Sequence, residues 1–324
     1  MSSYPTQSSA SGIWQLGDIP LFIQDGNWVQ LTSGNLGIVA GGTTPSVTNT
    51  IQYINFASTG NAIDFGDLTT AGYGPAIVGN KNRLVAGSVA TPAINNNVIE
   101  FRNVASKGTF ANFGSLTQTR ADAGSLCNDT RGIFMGGTLG PANTNVIDYI
   151  TIASASNALD FGDLSGVRAF FGTCASPTRG IAGGGGNPSS VNIIEYVTIA
   201  TTGNATDFGD LTSSRYSVSS SSSATRGVFG GGLIVPARVN TIDYITIASV
   251  GNATDFGDLT QSRTNTAATS NSISAVWFGG NTPSLVNTID YVTIASAGNA
   301  ADWGDTLSVV NTFDGSSNCH GGLS

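Results

Sequence analysis

The hydrophobic positions along this chain recur in two alternating formats. One is a short apolar run that stops at glycines, as in Arg226-Gly-Val-Phe-Gly-Gly-Gly232. The other is a longer stretch rich in β-branched and aromatic residues, Asn240-Thr-Ile-Asp-Tyr-Ile-Thr-Ile-Ala248. It puts Ile242, Tyr244 and Thr246 on one face and Asp243, Ile245 and Ile247 on the other. Apolar residues on both faces are expected of a strand sandwiched between two neighbouring sheets. Ser249-Val-Gly-Asn252 supplies turn chemistry. Ala253 to Leu259 then reads as a third strand, and Arg263 opens a polar strand of small residues running to about Asn271.

This unit repeats. Asp-Phe-Gly-Asp stands at 64–67, 160–163, 207–210 and 255–258, with variants Asn112-Phe-Gly-Ser115 and Asp302-Trp-Gly-Asp305. The aromatic residues at 65, 113, 161, 208, 256 and 303 are 47 or 48 positions apart. A period of 40–50 residues with several short strands in each predicts a β-propeller. The chain holds six glycine-tipped strands and six strands centred on Tyr53, Phe101, Tyr149, Tyr196, Tyr244 and Tyr291. The small-residue strand is missing before the first glycine strand, and its counterpart follows the last tetrapeptide, near Leu307 to Asn318. The expected fold is therefore an all-β, six-bladed propeller of four-stranded blades over residues 36–324. The C-terminal inner strand should pair with the N-terminal blade and close the ring, removing free edges.

Composition supports an all-strand chain. Charged residues make up 10%, and the 43 glycines are about twice the usual share. Lysine (Lys81, Lys107) and glutamate (Glu100, Glu195) each occur only twice, which argues against an exposed helical layer. A net charge of −8 disfavours nucleic acid as a partner. No apolar stretch is long enough for a membrane-spanning helix, so no membrane insertion is expected. No basic region followed by an apolar run opens the chain, so no secretory signal is expected. Three scattered cysteines give no disulfide framework, and synthesis in a reducing cytoplasm is expected.

The repeat resembles kelch units, in which a double glycine is followed by a spaced Tyr, an aromatic with a nearby Leu, and an Arg. Here one unit has Gly136-Gly137, Tyr149, Phe161, Leu164 and Arg168. The next two have Gly184-Gly185, Tyr196, Phe208, Leu211 and Arg215, then Gly231-Gly232, Tyr244, Phe256, Leu259 and Arg263. The Arg position reads as Gly72 in the first unit and Asn311 in the last. The wording of the repeat, with Ala10-Ser-Gly-Ile-Trp-Gln-Leu16 and Gly26-Asn-Trp28, is similar to kelch-like structural proteins of tailed bacteriophages. That resemblance implies a non-enzymatic virion protein of the tail or capsid exterior, made in the host cytoplasm. Its partners would be other virion proteins and a host-surface glycan. The alternatives are a cellular kelch-type module binding a peptide or glycan, and a carbohydrate-active enzyme on a propeller.

Residues 1–35 lie outside the repeat. Their apolar cluster includes Trp14, Phe22 and Trp28, expected either to cover part of the ring or to anchor the chain to a partner. Arg120, Arg168, Arg215 and Arg263 occupy equivalent positions. They are candidates to line a channel mouth and bind an acidic glycan or carboxylate, or else to pair with the repeat aspartates. The aspartate pairs could hold Ca²⁺, but a turn-forming role suits their once-per-blade recurrence better. Neither a metal site nor a cofactor is expected. Catalysis has poor support: His320, beside Cys319, is the sole histidine and stands near the chain end.

Overall fold

The computed structural model of the chain describes residues 35–92, 95–104, 110–186, 189–311 and 314–323. All regular structure among them is β: six antiparallel sheets are the blades of a propeller, and Leu233–Ile234 pairs with Ala237–Arg238 in a small separate hairpin. From the inner edge outward, the second blade runs Ala76–Gly79, Arg83–Gly87, Asn96–Asn103, Ala111–Arg120. The third runs Gly124–Cys127, Arg131–Met135, Val146–Thr151, Leu159–Asp163. The fourth runs Gly172–Ala175, Arg179–Gly183, Ile193–Thr198, Thr206–Asp210. The fifth runs Ser219–Ser222, Arg226–Gly230, Thr241–Thr246, Thr254–Asp258, and the sixth Ala267–Ser270, Ser274–Phe278, Thr288–Thr293, Ala301–Asp305.

The first blade is composite. Its strands Leu36–Ala40, Ser46–Asn55 and Ile63–Gly72 come from the start of the repeat region, and its inner strand, Asp314–Ser317, comes from the other end. Gly37 pairs with Ser317 and Ala40 with Asp314. The six inner strands touch one another in a closed cycle, with Asp314–Ser317 between Ala267–Ser270 and Ala76–Gly79. The expected closure is borne out.

The core lies between blades. Ile245 and Ile247 pack with Phe208 and Leu211 of the fourth blade, while Ile242 and Tyr244 pack with Trp277 and Val292 of the sixth. This is the two-faced alternation read from the sequence. The Phe-Gly of each tetrapeptide forms a bulge on the outer strand: Ile147 pairs with Gly162 and Asp148 with Asp160, leaving Phe161 as the extra residue. Gly162 has φ +148°, and a Cβ there would lie 2.5 Å from the backbone of Gly203 in the next blade. Only glycine permits that approach. The neighbouring turn fastens it, as Gly203 N donates to Phe161 O and Asp163 N donates to Asn204 Oδ1. The same pair of bonds recurs at Gly251/Asn252, Gly298/Asn299 and Gly60/Asn61. The tetrapeptide aspartates sit on the outer strands, and those at 64, 160, 207, 255 and 302 are exposed. Among the described residues, no group of three or more His, Cys, Asp or Glu side chains could hold a metal ion.

Candidate functional site

The four arginines singled out from the sequence do not line the mouth of the channel. Arg120, Arg215 and Arg263 are wholly buried and Arg168 nearly so. Each lies on the link from one blade to the next and pairs with an acid on the third strand of the blade ahead: Asp148, Glu195, Asp243 or Asp290. The partners are thus not the tetrapeptide aspartates. Arg263 Nη2 is 2.8 Å from Asp290 Oδ2, and its Nη1 donates to Gly279 O at 2.9 Å and Thr288 O at 2.8 Å. Asp290 in turn accepts from the amide and hydroxyl of Thr260 at 3.0 and 2.7 Å. Burial pushes all four guanidinium pKa values down, and the facing acid pushes each back up. A buried charge is tolerable only when so compensated. These groups are latches that carry one blade onto the next; each Nε is left without a partner, but burial keeps it out of reach of an anionic ligand.

A second set of arginines reinforces the same joints. Arg83, Arg131, Arg179 and Arg226 each stack on an aromatic ring of their own blade, with the guanidinium carbon 4.4–4.7 Å from the ring centroid. Each also donates at 2.9 Å to a carbonyl of the following blade, at Ile152, Ile199, Ile247 and Ile294.

Both sets are absent on the two flanks of the composite blade. The second-set position is Leu36 in the first blade and Ser274 in the sixth, from the strand pairings. The latch position in the last unit is Val310, not Asn311. Gly280 N bonds Val310 O just as Gly232 N bonds Arg263 O, which corrects the sequence alignment by one residue. The acid facing that position is replaced as well: Gln52 Oε1 accepts from Leu307 N at 2.9 Å. At the other flank Gly72 has no side chain, yet Glu100 remains, buried and bonded to the amide and hydroxyl of Thr69. Burial raises the Glu100 pKa.

The channel itself is a cup. Its open end is a cavity of about 100 Å³ to which all six blades contribute. Small polar side chains tie the inner strands together around it: Ser125 Oγ donates to Ile77 O, Thr173 Oγ1 to Ser125 O, Ser222 Oγ to Ala175 O and Ser270 Oγ to Ser222 O. Asp314 Oδ2 accepts from Ile77 N and Ser125 Oγ, both at 2.9 Å. Burial pushes the Asp314 carboxyl up to about 6 and that of Asp122, at the rim, up to about 7.

The C-terminal strap crosses the other end. Gly321 N donates to Ser222 O of the fifth blade, and His320 Nε2 lies 2.8 Å from Gly79 O of the second. A Cβ on Gly322 would lie 1.9 Å from Cys127 O, so the crossing needs glycine. The strap brings His320 to 3.2 Å from Cys127 Sγ rather than pairing it with Cys319. The pair is inert as a nucleophile and base. Gly322 N donates to Nδ1, which leaves Nε2 to carry the proton and point it at Gly79 O. Burial also pushes the Cys127 thiol up to about 12 and the imidazole down.

Sequence reasoning missed the rim. Asp122, Phe170, Ser217 and Asn265 stand two positions after the latch arginines, and Gly74 two after Gly72. All five border the cavity, and all have φ between +51° and +58°. The available signal was divergence: this position changes chemistry in every unit of an otherwise repetitive chain. Trp14, Phe22 and Trp28 lie outside the described residues.

Fold and channel together define a six-bladed propeller with four-stranded antiparallel blades around a polar channel that the C-terminal strap crosses at one end. No protein-family model matches the chain, and no curated protein matches it.

Proposed function

We propose that the chain is a non-enzymatic propeller module serving as a rigid structural and attachment element of a tailed-phage particle, in the tail or on the capsid exterior. The phage assignment rests on the resemblance of the repeat wording and of residues 10–28. The observation that carries the mechanical part is the buried latch. Four blade-to-blade joints are fastened by an ion pair with side chains almost wholly out of water, which suits a particle component that must keep its shape. Residues 1–35, with Trp14, Phe22 and Trp28, would anchor it to other virion proteins. Mass spectrometry of purified virions, followed by gold labelling of a tagged copy, tests the assignment. The chain should appear in stoichiometric amount on the particle surface, and its absence from virions sinks the reading.

The cup favours a second reading, a kelch-type interaction module that binds its ligand in the ring mouth. An enzymatic use of the cup has less support, because Asp314 is already engaged by Ile77 and Ser125. A search for hydrolysis of nitrophenyl glycosides would decide against the module if turnover were abolished by Asp122→Asn.

A further inference from the structure

The rim combines a repeated backbone with unrepeated side chains. At this position in five of the blades the chain turns through a left-handed conformation and hands on to its neighbour: Asp122 N donates to Gly74 O, and Ser217 N to Phe170 O. Glycine satisfies that backbone without strain, as Gly74 shows. The other described blades place Asp, Phe, Ser and Asn there instead. For a bulky aromatic a φ of +58° is a true outlier, and strain of this kind is retained where surrounding structure holds it for a purpose. Phe170 is moreover 37% exposed, whereas its neighbour Phe171 is buried in the core.

The side chains so displayed have a consistent chemistry. Phe170 offers an aromatic face; Asp122, Asn265 and Ser217 offer three acceptor groups and two donor groups among them. A Cβ on Gly74 would lie 2.4 Å from Asp122 Oδ1, so glycine keeps room for that carboxyl. Deeper in the same cavity, Ser220 is over nine-tenths buried and its hydroxyl has no partner. Among the described residues, no lysine or arginine borders the cavity. An anionic ligand would find no countercharge, and an apolar one would leave the polar groups unpaired. A sugar ring matches both requirements. Its C–H face covers an aromatic ring, and its hydroxyls donate to carboxylates and pair with amides and hydroxyls.

We propose that the channel mouth is a recognition site for a neutral sugar, the terminal ring of a glycan, stacked on Phe170 and held by Asp122, Ser217 and Asn265. This specificity presupposes the attachment role proposed above and reverses the acidic glycan expected from the arginines. Hydroxyl donation favours the ionised Asp122, so affinity rises as the pH is raised through about 7.

Saturation-transfer NMR and calorimetry with methyl glucoside, methyl galactoside, methyl mannoside, N-acetylglucosamine and N-acetylneuraminic acid test the site. At least one neutral sugar should bind, and the acidic one should not. Phe170→Gly should weaken that binding at least ~10-fold, the loss of a single good contact. It should leave the melting temperature unchanged or higher, since it relieves backbone strain. Binding that survives Phe170→Gly, preference for the acidic sugar, no neutral binding, or a lowered melting temperature in Phe170→Gly would each overturn the proposal. Presence in virions is measured separately, so a virion component that ignores sugars refutes only the sugar site. A sugar binder absent from virions refutes only the phage assignment.

Discussion

Val310 occupies the repeat position of Arg263, and its backbone carbonyl bonds Gly280 as that of Arg263 bonds Gly232. An apolar side chain has replaced a buried cation, and the facing acid has become Gln52. At this joint both charges left together, which is the inexpensive way to lose a buried ion pair. At the next joint only the arginine is gone, and Glu100 keeps its charge-bearing group in the core.

These three states of one latch predict different mutational costs. Arg263→Ala or Asp290→Asn leaves a buried charge uncompensated and should destabilise the ring by about 3–5 kcal/mol. Replacing both Arg263 and Asp290 with apolar residues should recover most of that loss. Glu100→Gln should cost less than about 1 kcal/mol or stabilise, since it removes a desolvated acid with no arginine opposite. Urea unfolding of the variants measures each value, and equal costs for Asp290→Asn and Glu100→Gln would contradict the latch.

The composite blade should be the first to loosen. Its two flanks lack the buried latch and the second-set arginine, and only one of them has a substitute, Arg102 of the second blade stacked on Phe65. Hydrogen exchange should be faster in Leu36–Ala40, Ser46–Asn55 and Asp314–Ser317 than in Arg226–Gly230 and Thr241–Thr246. Uniform protection around the ring would show that the clamps do not set local stability.

Stability should fall as the pH rises from near 4 to about 7. Asp122 and Asp314 have folded pKa values of about 7 and about 6, above the ordinary 3.8. Each therefore binds its proton more tightly when folded. The stabilisation is complete below the unfolded value and is lost through the folded one. His320 works the other way: its pKa is lowered by burial, so its contribution is lost as the pH falls below the unfolded value of 6.5. Melting temperatures across this range should flatten in Asp122→Asn and Asp314→Asn and steepen in His320→Gln. An unchanged slope in both aspartate variants would refute the assignment.

Removing residues 307–324 takes away the inner strand of the first blade and the strap at once. The expected result is exposure of the Leu36–Ala40 edge and aggregation, measured by light scattering. A soluble truncation with the parent's melting temperature would argue against the closure.

In the folded protein Cys127 and Cys174 should resist alkylation at neutral pH, because burial holds both thiols near 12. Mass spectrometry after iodoacetamide treatment should find them modified only once the ring is unfolded. Labelling of Cys127 in the native state would mean that the strap opens.

The architecture was legible because it is periodic. Glycine tips, Tyr strands and the Phe-Gly tetrapeptide repeat at fixed spacing, and each marks a local backbone requirement. The missing small-residue strand before Leu36 and the extra one near its end announced the shared blade. The alternation in Ile242 to Ile247 separated two interfaces correctly. One position was misplaced: the Leu-to-Arg spacing selected Asn311, and only the backbone bonding identified Val310.

What the chain order alone determined is the number of blades, their strands and their closure, since those follow from local propensity repeated six times. What only the tertiary structure decided is which charges meet and which side chains surround the axis. Arg263 and Asp290 are 27 residues apart, and Asp122 and Asn265 are far more distant. Their relation depends on the rotation that carries one blade onto the next. That rotation buried the arginines expected at the mouth and put in their place a rim whose members share a repeat position but no residue type.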